Sequence, residues 1–195
     1  MLKSLAKMLV LAFVSVVLFN TSAADELEFQ PLFNGKTLDG WTVVGCEAEV
    51  DDGTIFLKAG NGVVHTNKRY GDFVLELEWK AERENKYDSG IYFRCELPEG
   101  KRPWPKRYQA NLLQGQEGNV GGVKGATSKG LIKPGEWNKY QLSVIGSKVA
   151  MKINGEDAYE ADGIEDAEGY ICLQAEVPGG GQFWFKNVRI AEPGQ

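Results

Sequence analysis

The stretch DFVLELEWK, residues 72–80, decides the fold class. Its apolar side chains occupy every second position, namely Phe73, Leu75, Leu77 and Trp79, and charged or small residues separate them. Successive side chains of a β-strand point to opposite faces, so this spacing indicates a strand with one buried and one exposed face.

The same alternation recurs along the chain. It is present at 53–58, 137–145 and 182–190, and strands are also expected at 62–66, 107–114 and 169–176. Asn154-Gly155 separates two more short runs, and this dipeptide favours a two-residue hairpin turn. No segment shows a convincing helical period. Because one-sided strands must bury their apolar faces against another sheet, we predict an all-β domain, a two-sheet antiparallel β-sandwich of the jelly-roll type.

The first residues are typical of a secretory signal peptide. Two lysines precede an apolar run over 8–19, and small residues at 22–24 follow it. The run is shorter than the roughly 20 residues of a membrane helix, so we predict no membrane span. We expect a signal peptide at 1–24, a single domain at 25–195, and export to the periplasm or the cell exterior.

The charge balance excludes some partners. The chain has 22 basic and 27 acidic residues. Without Lys3 and Lys7 of the predicted signal peptide, 20 basic residues remain against 27 acidic ones, a net charge near −7. Such a charge argues against nucleic acid as a partner and favours an uncharged or cationic ligand.

Metal and thiol chemistry are poorly supported. The three cysteines, Cys46, Cys95 and Cys172, indicate buried thiols or one disulfide whose partners the sequence does not identify. The single histidine, His65, has no metal-ligand spacing around it. The acidic stretch 156–168 lacks the spacing of a calcium loop and is interpreted as a solvated loop. We therefore predict neither a metal nor a cofactor.

Three strand-like segments carry unusual polar residues on their outward faces. In SGIYFRC we expect Ile91, Phe93 and Cys95 to point inward and Tyr92 and Arg94 outward. The outward residues of the other two segments are Gln109 and Asn111, and Gln174 and Glu176. If the strands are neighbours, these residues form a patch of amides, one arginine and one carboxylate, which suits a hydroxyl-rich ligand. An ordinary solvated sheet face is the alternative.

Three further residues join the candidate site. Asp88 belongs to a turn that precedes its strand, where aspartate accepts hydrogen bonds from backbone amides. Trp104, between two prolines, either stacks on a sugar ring or covers the sheet edge. His65 is either a structural residue or a general base that works near neutral pH.

The order of the motifs identifies a resemblance. The chain contains, in sequence, FQPLFNGKTLDGW, DGTIFL, YGDFVLELEW, YDSGIYFR, GEWNKYQLSV, INGEDAY, GYICLQAE and FWFKNVRI. Together they resemble the 3-keto-disaccharide hydrolase domain family over residues 29–190. The resemblance implies a concanavalin A-like sandwich and a hydrolase or lyase acting on glycosides whose sugar carries a ketone at carbon 3.

The resemblance also implies roles for the candidate residues. By this resemblance, Glu176 is the general base and Arg94 is the cation that faces the enolate. Asp88 is the third catalytic residue and also contacts the sugar. Other sugar contacts and substrate-binding residues are then Tyr92, Trp104, Gln109, Asn111, Gln174 and His65.

One segment departs from the family pattern. Relatives commonly have Tyr-Glu-x-Gln-x-x-Asp where this chain has YQANLLQ, so amides at Gln109 and Gln114 replace two carboxylates. An amide cannot remove a proton. The chain is therefore either an enzyme that relies on Glu176 or Asp88, or a carbohydrate-binding module without catalysis. A structural or adhesive domain is the third possibility.

Overall fold

The computed structural model describes residues 27–194, so the predicted signal peptide lies outside the described residues. These residues form an antiparallel β structure. Its strands are β1 Gln30–Pro31, β2 Trp41–Asp51, β3 Thr54–Thr66, β4 Phe73–Ala81, β5 Gly90–Cys95, β6 Gln109–Asn111, β7 Asn138–Ile145, β8 Lys148–Ile153, β9 Glu156–Asp162, β10 Tyr170–Glu176 and β11 Phe183–Ala191. The remaining regular element within 27–194 is a short 3₁₀ turn, Val177–Gly179, and that part of the chain has no helix fit to cross a membrane.

The strands form one continuous sheet that curls into two layers. Their order is β6-β5-β10-β3-β11-β4-β7-β8-β9, with β2 paired to β3 and β1 paired to β11. Residues 61–65 of β3 pair with β10, whereas residues 55–56 pair with β11. The long strand β3 therefore belongs to both layers. We call β6, β5, β10 and the end of β3 the front layer, and the strands from β11 to β9 the back layer.

A single apolar core joins the two layers. The largest buried cluster includes Phe93 and Leu173 of the front layer together with Leu75, Trp79 and Tyr140 of the back layer. Each of these side chains is at most 2% exposed. The predicted two-sheet antiparallel sandwich is thus the observed architecture, and the apolar faces of β4 and β7 are buried as their alternation indicates.

Several strand predictions need correction. The segments predicted at 53–58 and 62–66 are one strand, and β6 is only three residues long. The first half of the acidic stretch 156–168 is strand β9 rather than a solvated loop. It pairs with β8 through the predicted Asn154-Gly155 turn, in which both residues have positive φ. Pairing along an edge strand accommodates acidic side chains on the exposed face, so charge alone did not indicate a loop.

The strand β2 bulges where the sheet curls. Its register with β3 shifts between Val44 and Cys46, and Gly45 has φ of +71°. A Cβ atom on Gly62 of β3 would stand 2.0 Å from the carbonyl oxygen of Val44. The close backbone approach at the bulge therefore requires glycine at position 62.

We expect Gly62→Ala to lower the free energy of unfolding by about 2–3 kcal/mol, because backbone atoms of β2 would have to move. Gly121→Ala is the matched control, since a Cβ at that position meets nothing within 4 Å. It should change stability by less than about 0.5 kcal/mol. Urea unfolding measures both, and equal stability of the two variants would contradict the requirement.

Candidate functional site

The outer face of the front layer brings the predicted polar strands together. Strand β5 pairs with β6 on one side and with β10 on the other. Tyr92 is opposite both Gln109 and Cys172, and Gly90 is opposite Asn111. Residues directly opposite in neighbouring strands share a face, so the adjacency assumed from the sequence is present.

A chain of amide hydrogen bonds crosses this face. Nε2 of Gln109 donates to Oε1 of Gln174, and Nε2 of Gln174 donates to Oε2 of Glu176 at 2.8 Å. The Gln109 side chain reaches β10 because it passes over Gly90, where a Cβ would stand 2.0 Å from its Nε2 atom. These hydrogen bonds orient the carboxylate of Glu176. They involve its Oε2 atom and not its Oε1 atom.

Glu176 and Asp88 form the acidic centre of the site. Burial raises the pKa of Glu176, the charge of Asp88 raises it further, and the hydrogen bond from Gln174 opposes both effects. Burial also raises the pKa of Asp88, against a hydrogen bond from the backbone of Ser89. A carboxylate with a raised pKa is a stronger base than an ordinary one, which is the property required for proton abstraction.

The backbone holds these two carboxylates close to each other. The buried hydroxyl of Ser89 donates to the carbonyl oxygen of Gln174 at 2.7 Å, so the turn that carries Asp88 is attached to β10. A Cβ on Gly181 would stand 2.7 Å from the carbonyl oxygen of Asp88 and 2.7 Å from backbone atoms of Glu176. The tight turn after β10 therefore packs directly between the two acidic residues.

Tyr92 supplies a phenol on the same face. Its side chain is buried, and burial, followed by the nearby thiol of Cys95 and the carboxylate of Glu176, raises its pKa to about 12. The hydroxyl therefore keeps its proton in neutral solution and is able to donate a hydrogen bond.

Two other predicted residues have hydrogen-bond partners that define their positions. Oδ1 of Asn111 accepts a hydrogen bond from the backbone amide of Leu113 at 2.8 Å. Nε1 of Trp104 donates to the carbonyl oxygen of Ala175 at 3.0 Å, and its ring packs over the outer face of the front layer. The loop thus covers part of the sheet, as one of the two interpretations of Trp104 predicted.

His65 lies on the outer face, opposite Cys172 in the pairing of β3 with β10. It is 6% exposed, and its Nδ1 donates to the carbonyl oxygen of Thr66 at 2.8 Å, since a carbonyl oxygen only accepts. Its ring packs edge-on against Tyr170, with the centroids 5.5 Å apart. These contacts are those of a structural histidine.

The predicted outward orientation of Arg94 is wrong. Between Tyr92 and Cys95, β5 contains one residue more than the facing segment of β10, and Arg94 has φ of +42°. This bulge interrupts the alternation of β5, so Arg94 leaves the outer face. Cys95 is also on the face opposite to the predicted one, since it packs with Tyr92 and Cys172.

Arg94 has no donor left for a substrate. Its guanidinium donates to the carbonyl oxygens of Gly71, Gly146, Asp166 and Val144 and to the carboxylate of Asp72 at 2.7 Å. A guanidinium has five N–H groups, and these five contacts use all of them. The side chain is 2% exposed. Arg94 therefore stabilises the loops at one end of the sandwich by hydrogen bonds. It does not belong to the polar surface that contains Gln174 and Glu176.

Two cations that the sequence interpretation missed lie near the site. A Cβ on Gly180, in the turn after Glu176, would stand 3.1 Å from Nη1 of Arg83. The charge of Arg102 is close enough to lower the pKa of Tyr92 slightly against the larger effect of burial. Both arginines belong to irregular segments, where no periodicity predicts the direction of a side chain.

A cleft of about 470 Å³ opens beside Trp104. The loop residues Leu97, Pro98, Arg102 and Pro105 contribute to its walls. It adjoins the covering loop, whereas Gln109, Gln174 and Glu176 do not line it.

Comparison with known proteins identifies the family. Residues 28–191 match the sequence profile of the 3-keto-alpha-glucoside-1,2-lyase-like domain, the 3-keto-disaccharide hydrolase family. The chain belongs to this family. The match covers almost all of the described residues, in agreement with the resemblance carried by the motifs. No curated protein sequence matches the chain closely enough to add a relative.

Solved structures show the same fold as this 3-keto-disaccharide hydrolase domain. A candidate glycosyl hydrolase from Parabacteroides distasonis is 22% identical with a TM-score of 0.64, over 84% of this chain and 93% of that one. The carbohydrate-binding module CBM66 from Bacillus subtilis is 17% identical with a TM-score of 0.63, over 78% and 96%. The β-glucanase from Bacillus licheniformis is 14% identical with a TM-score of 0.56, over 87% and 99%. At these identities the likeness establishes a concanavalin A-like sandwich.

We expect Arg94→Met to lower the free energy of unfolding by about 3–5 kcal/mol, because it leaves buried carbonyl groups and Asp72 without their partner. Arg102→Met is the control, since Arg102 is exposed. Its unfolding free energy should stay within about 0.5 kcal/mol of that of the original chain. Urea titration followed by tryptophan fluorescence measures both. A fully stable Arg94→Met variant would show that the buried guanidinium does not hold the loops.

Proposed function

We propose that this protein is an exported enzyme that cleaves 3-keto-glycosides on the outer face of the front layer. The observation that carries the proposal is the state of Glu176. It is half-buried, the amide of Gln174 orients it, and its pKa is raised by burial and then by the charge of Asp88. The family membership supports a carbohydrate substrate.

Glu176 is proposed to start the reaction as a general base. A ketone at carbon 3 makes the hydrogen on carbon 2 acidic, and the carboxylate removes it as a proton. The electron pair of the broken C–H bond forms the enolate, whose charge lies on the oxygen of carbon 3. The neutral phenol of Tyr92 is the donor on this face that suits the enolate oxygen, since its pKa of about 12 keeps it protonated.

Elimination and hydration complete the proposed reaction. The enolate electrons form a double bond between carbons 1 and 2, and the bond from carbon 1 to the glycosidic oxygen breaks. That oxygen takes up a proton and leaves as an alcohol. Water then adds to the double bond, with its hydroxyl on carbon 1 and a proton on carbon 2, which gives the free 3-keto sugar. These reaction steps need one base and one oxyanion donor, in contrast to the paired carboxylates of ordinary glycosidases.

The amides are proposed to hold the sugar. Gln109, Gln174 and Asn111 line one continuous surface, and amides both donate to and accept from sugar hydroxyls. Trp104 and His65 border this surface at the covering loop and at β3. Arg94 has no place in the proposal because its donors are used elsewhere.

Export is proposed from the first 24 residues, whose lysines, apolar run and small residues are typical of a signal peptide. A 3-keto-glycoside in the periplasm or outside the cell would then be the substrate.

A carbohydrate-binding module is the second candidate function. Gln109, where relatives commonly have glutamate, is hydrogen-bonded to Gln174 and cannot act as a base. Gln114, where relatives have aspartate, accepts a hydrogen bond from the backbone amide of Lys86 at 2.8 Å. Both amides have roles that involve no proton transfer, and they favour binding without turnover.

We expect Glu176→Gln to lower the rate of sugar release from a 3-keto-disaccharide roughly a thousandfold, since removal of a general base typically costs that much. Binding should change little, because the amide preserves the shape of the side chain. Release is followed by chromatography and binding by calorimetry, with the unoxidised disaccharide as the substrate control. Unchanged release by the variant would reject Glu176 as the base. Tight binding without release by the original chain would favour the binding module.

The charge of Asp88 should contribute, after burial, to the position of the acid limb of the pH profile. Glu176 works in its ionised form, so the rate falls when the pH drops through its raised pKa. Asp88→Asn removes the like charge and lowers that pKa, so the acid limb moves to lower pH. Glu156→Gln removes one negative charge from the far edge strand β9 and serves as the control. An acid limb that stays in place in Asp88→Asn would contradict the coupling of the two carboxylates.

A further inference from the structure

Cys95 and Cys172 form a buried pair of thiols on the outer side of the front layer. Their Sγ atoms are 3.4 Å apart, on the neighbouring strands β5 and β10. The side chains are at most 1% exposed and pack with Val63 and Tyr92 in a small cluster separate from the main core. The role proposed for the carboxylates uses neither sulfur.

The bulge at Arg94 is the reason that the two sulfurs meet. Strict alternation would send Cys95 into the main core, on the opposite face of β5 from Tyr92. The extra residue turns Cys95 to the outer face, opposite Tyr170 and diagonal to Cys172. The remaining separation exceeds the disulfide bond length of about 2.05 Å by about 1.4 Å, so formation of the bond requires the two side chains to move towards each other by that amount.

We propose that Cys95 and Cys172 are a covalent modification site, at which a disulfide links β5 to β10 in an oxidising compartment. The oxidant is an organic disulfide, such as glutathione disulfide or the active-site disulfide of a thiol oxidoreductase. One cysteine thiolate attacks a sulfur of the oxidant and forms a mixed disulfide, with release of one thiol. The second cysteine thiolate then attacks the mixed disulfide and releases the other thiol. The two cysteines lose two protons and two electrons, and the oxidant gains them.

The bond is expected to form during folding, before the covering loop closes. Leu97 and Trp104 pack against the cluster that contains the sulfurs. The hydrogen bond with Cys95 and burial raise the pKa of Cys172 well above that of a free cysteine, so the thiolate required for exchange is scarce in the folded chain. Because both sulfurs are buried, a disulfide formed early is also shielded from external reductants.

Cys46 provides an internal control. It lies on β2, is half-buried, and packs against the main core rather than the small outer cluster. Burial raises its pKa to about 11, which makes its thiol unreactive in neutral solution. Because its side chain packs in a different cluster from Cys95 and Cys172, the geometry assigns Cys46 to the reduced state.

The inference is tested by refolding the denatured, reduced chain with oxidised and reduced glutathione, followed by alkylation in denaturant and mass spectrometry. We expect one alkylated cysteine, Cys46, after oxidative refolding and three after refolding with dithiothreitol. Peptide mapping should identify a Cys95–Cys172 linkage. The oxidised protein should melt about 5 °C or more above the reduced one, since a crosslink restricts the unfolded chain.

Variants make the result decisive. Cys95→Ser should leave two alkylated thiols and abolish the difference in melting temperature between oxidised and reduced samples. Cys46→Ser should leave no alkylated thiol after oxidation and retain that difference. If the original chain regains its fold under oxidising conditions and still has three alkylated thiols, the proposal is overturned. A disulfide that includes Cys46 would also overturn it.

Discussion

The extra residue at Arg94 in β5 is the constraint on which the front layer depends. It places Arg94 at φ of +42° and directs the guanidinium to five acceptors at one end of the sandwich. A Cβ on Gly169 would stand 2.3 Å from the carbonyl carbon of Arg94, so the bulge also requires glycine on the neighbouring segment. The same bulge leaves Tyr92 on the outer face and adds Cys95 to it. One local departure from strand geometry thus fixes the loops, the proposed oxyanion donor and the thiol pair.

In the proposed site, hydrogen bonds hold the base in place and offset part of the free-energy penalty for ionising it in a half-buried position. Burial alone disfavours an ionised Glu176, and the nearby Asp88 adds repulsion. The amide of Gln174 compensates in part by donating to the carboxylate, and Gln109 holds that amide in turn. The result is a base whose pKa is raised while its position stays fixed, which is the combination that proton abstraction from a carbon acid requires.

Much of the fold follows from period-two patterns, whereas the site depends on where those patterns fail. The alternation in β4 and β7 and the Asn154-Gly155 turn predicted strands and a hairpin that the structure contains. The same reasoning misplaced Arg94, because one inserted residue reverses every later side chain and no composition signal marks it. The register between strands also cannot be determined from one sequence. The sequence therefore indicated only that the strands of Gln109 and Glu176 could be neighbours, and not the hydrogen bonds that connect these residues through Gln174. Arg83 was missed because irregular segments carry no period from which to infer direction.

The account depends on a sugar lying across the amide chain, with its carbon 2 next to Glu176. A crystal structure of the Glu176→Gln variant with a bound 3-keto-disaccharide tests this most directly. We predict the oxidised ring on the outer face of the front layer, in contact with Gln109 and Gln174, with carbon 2 beside residue 176 and the carbon 3 oxygen towards Tyr92. A ring bound instead in the cleft beside Trp104, or on the back layer, would contradict the account.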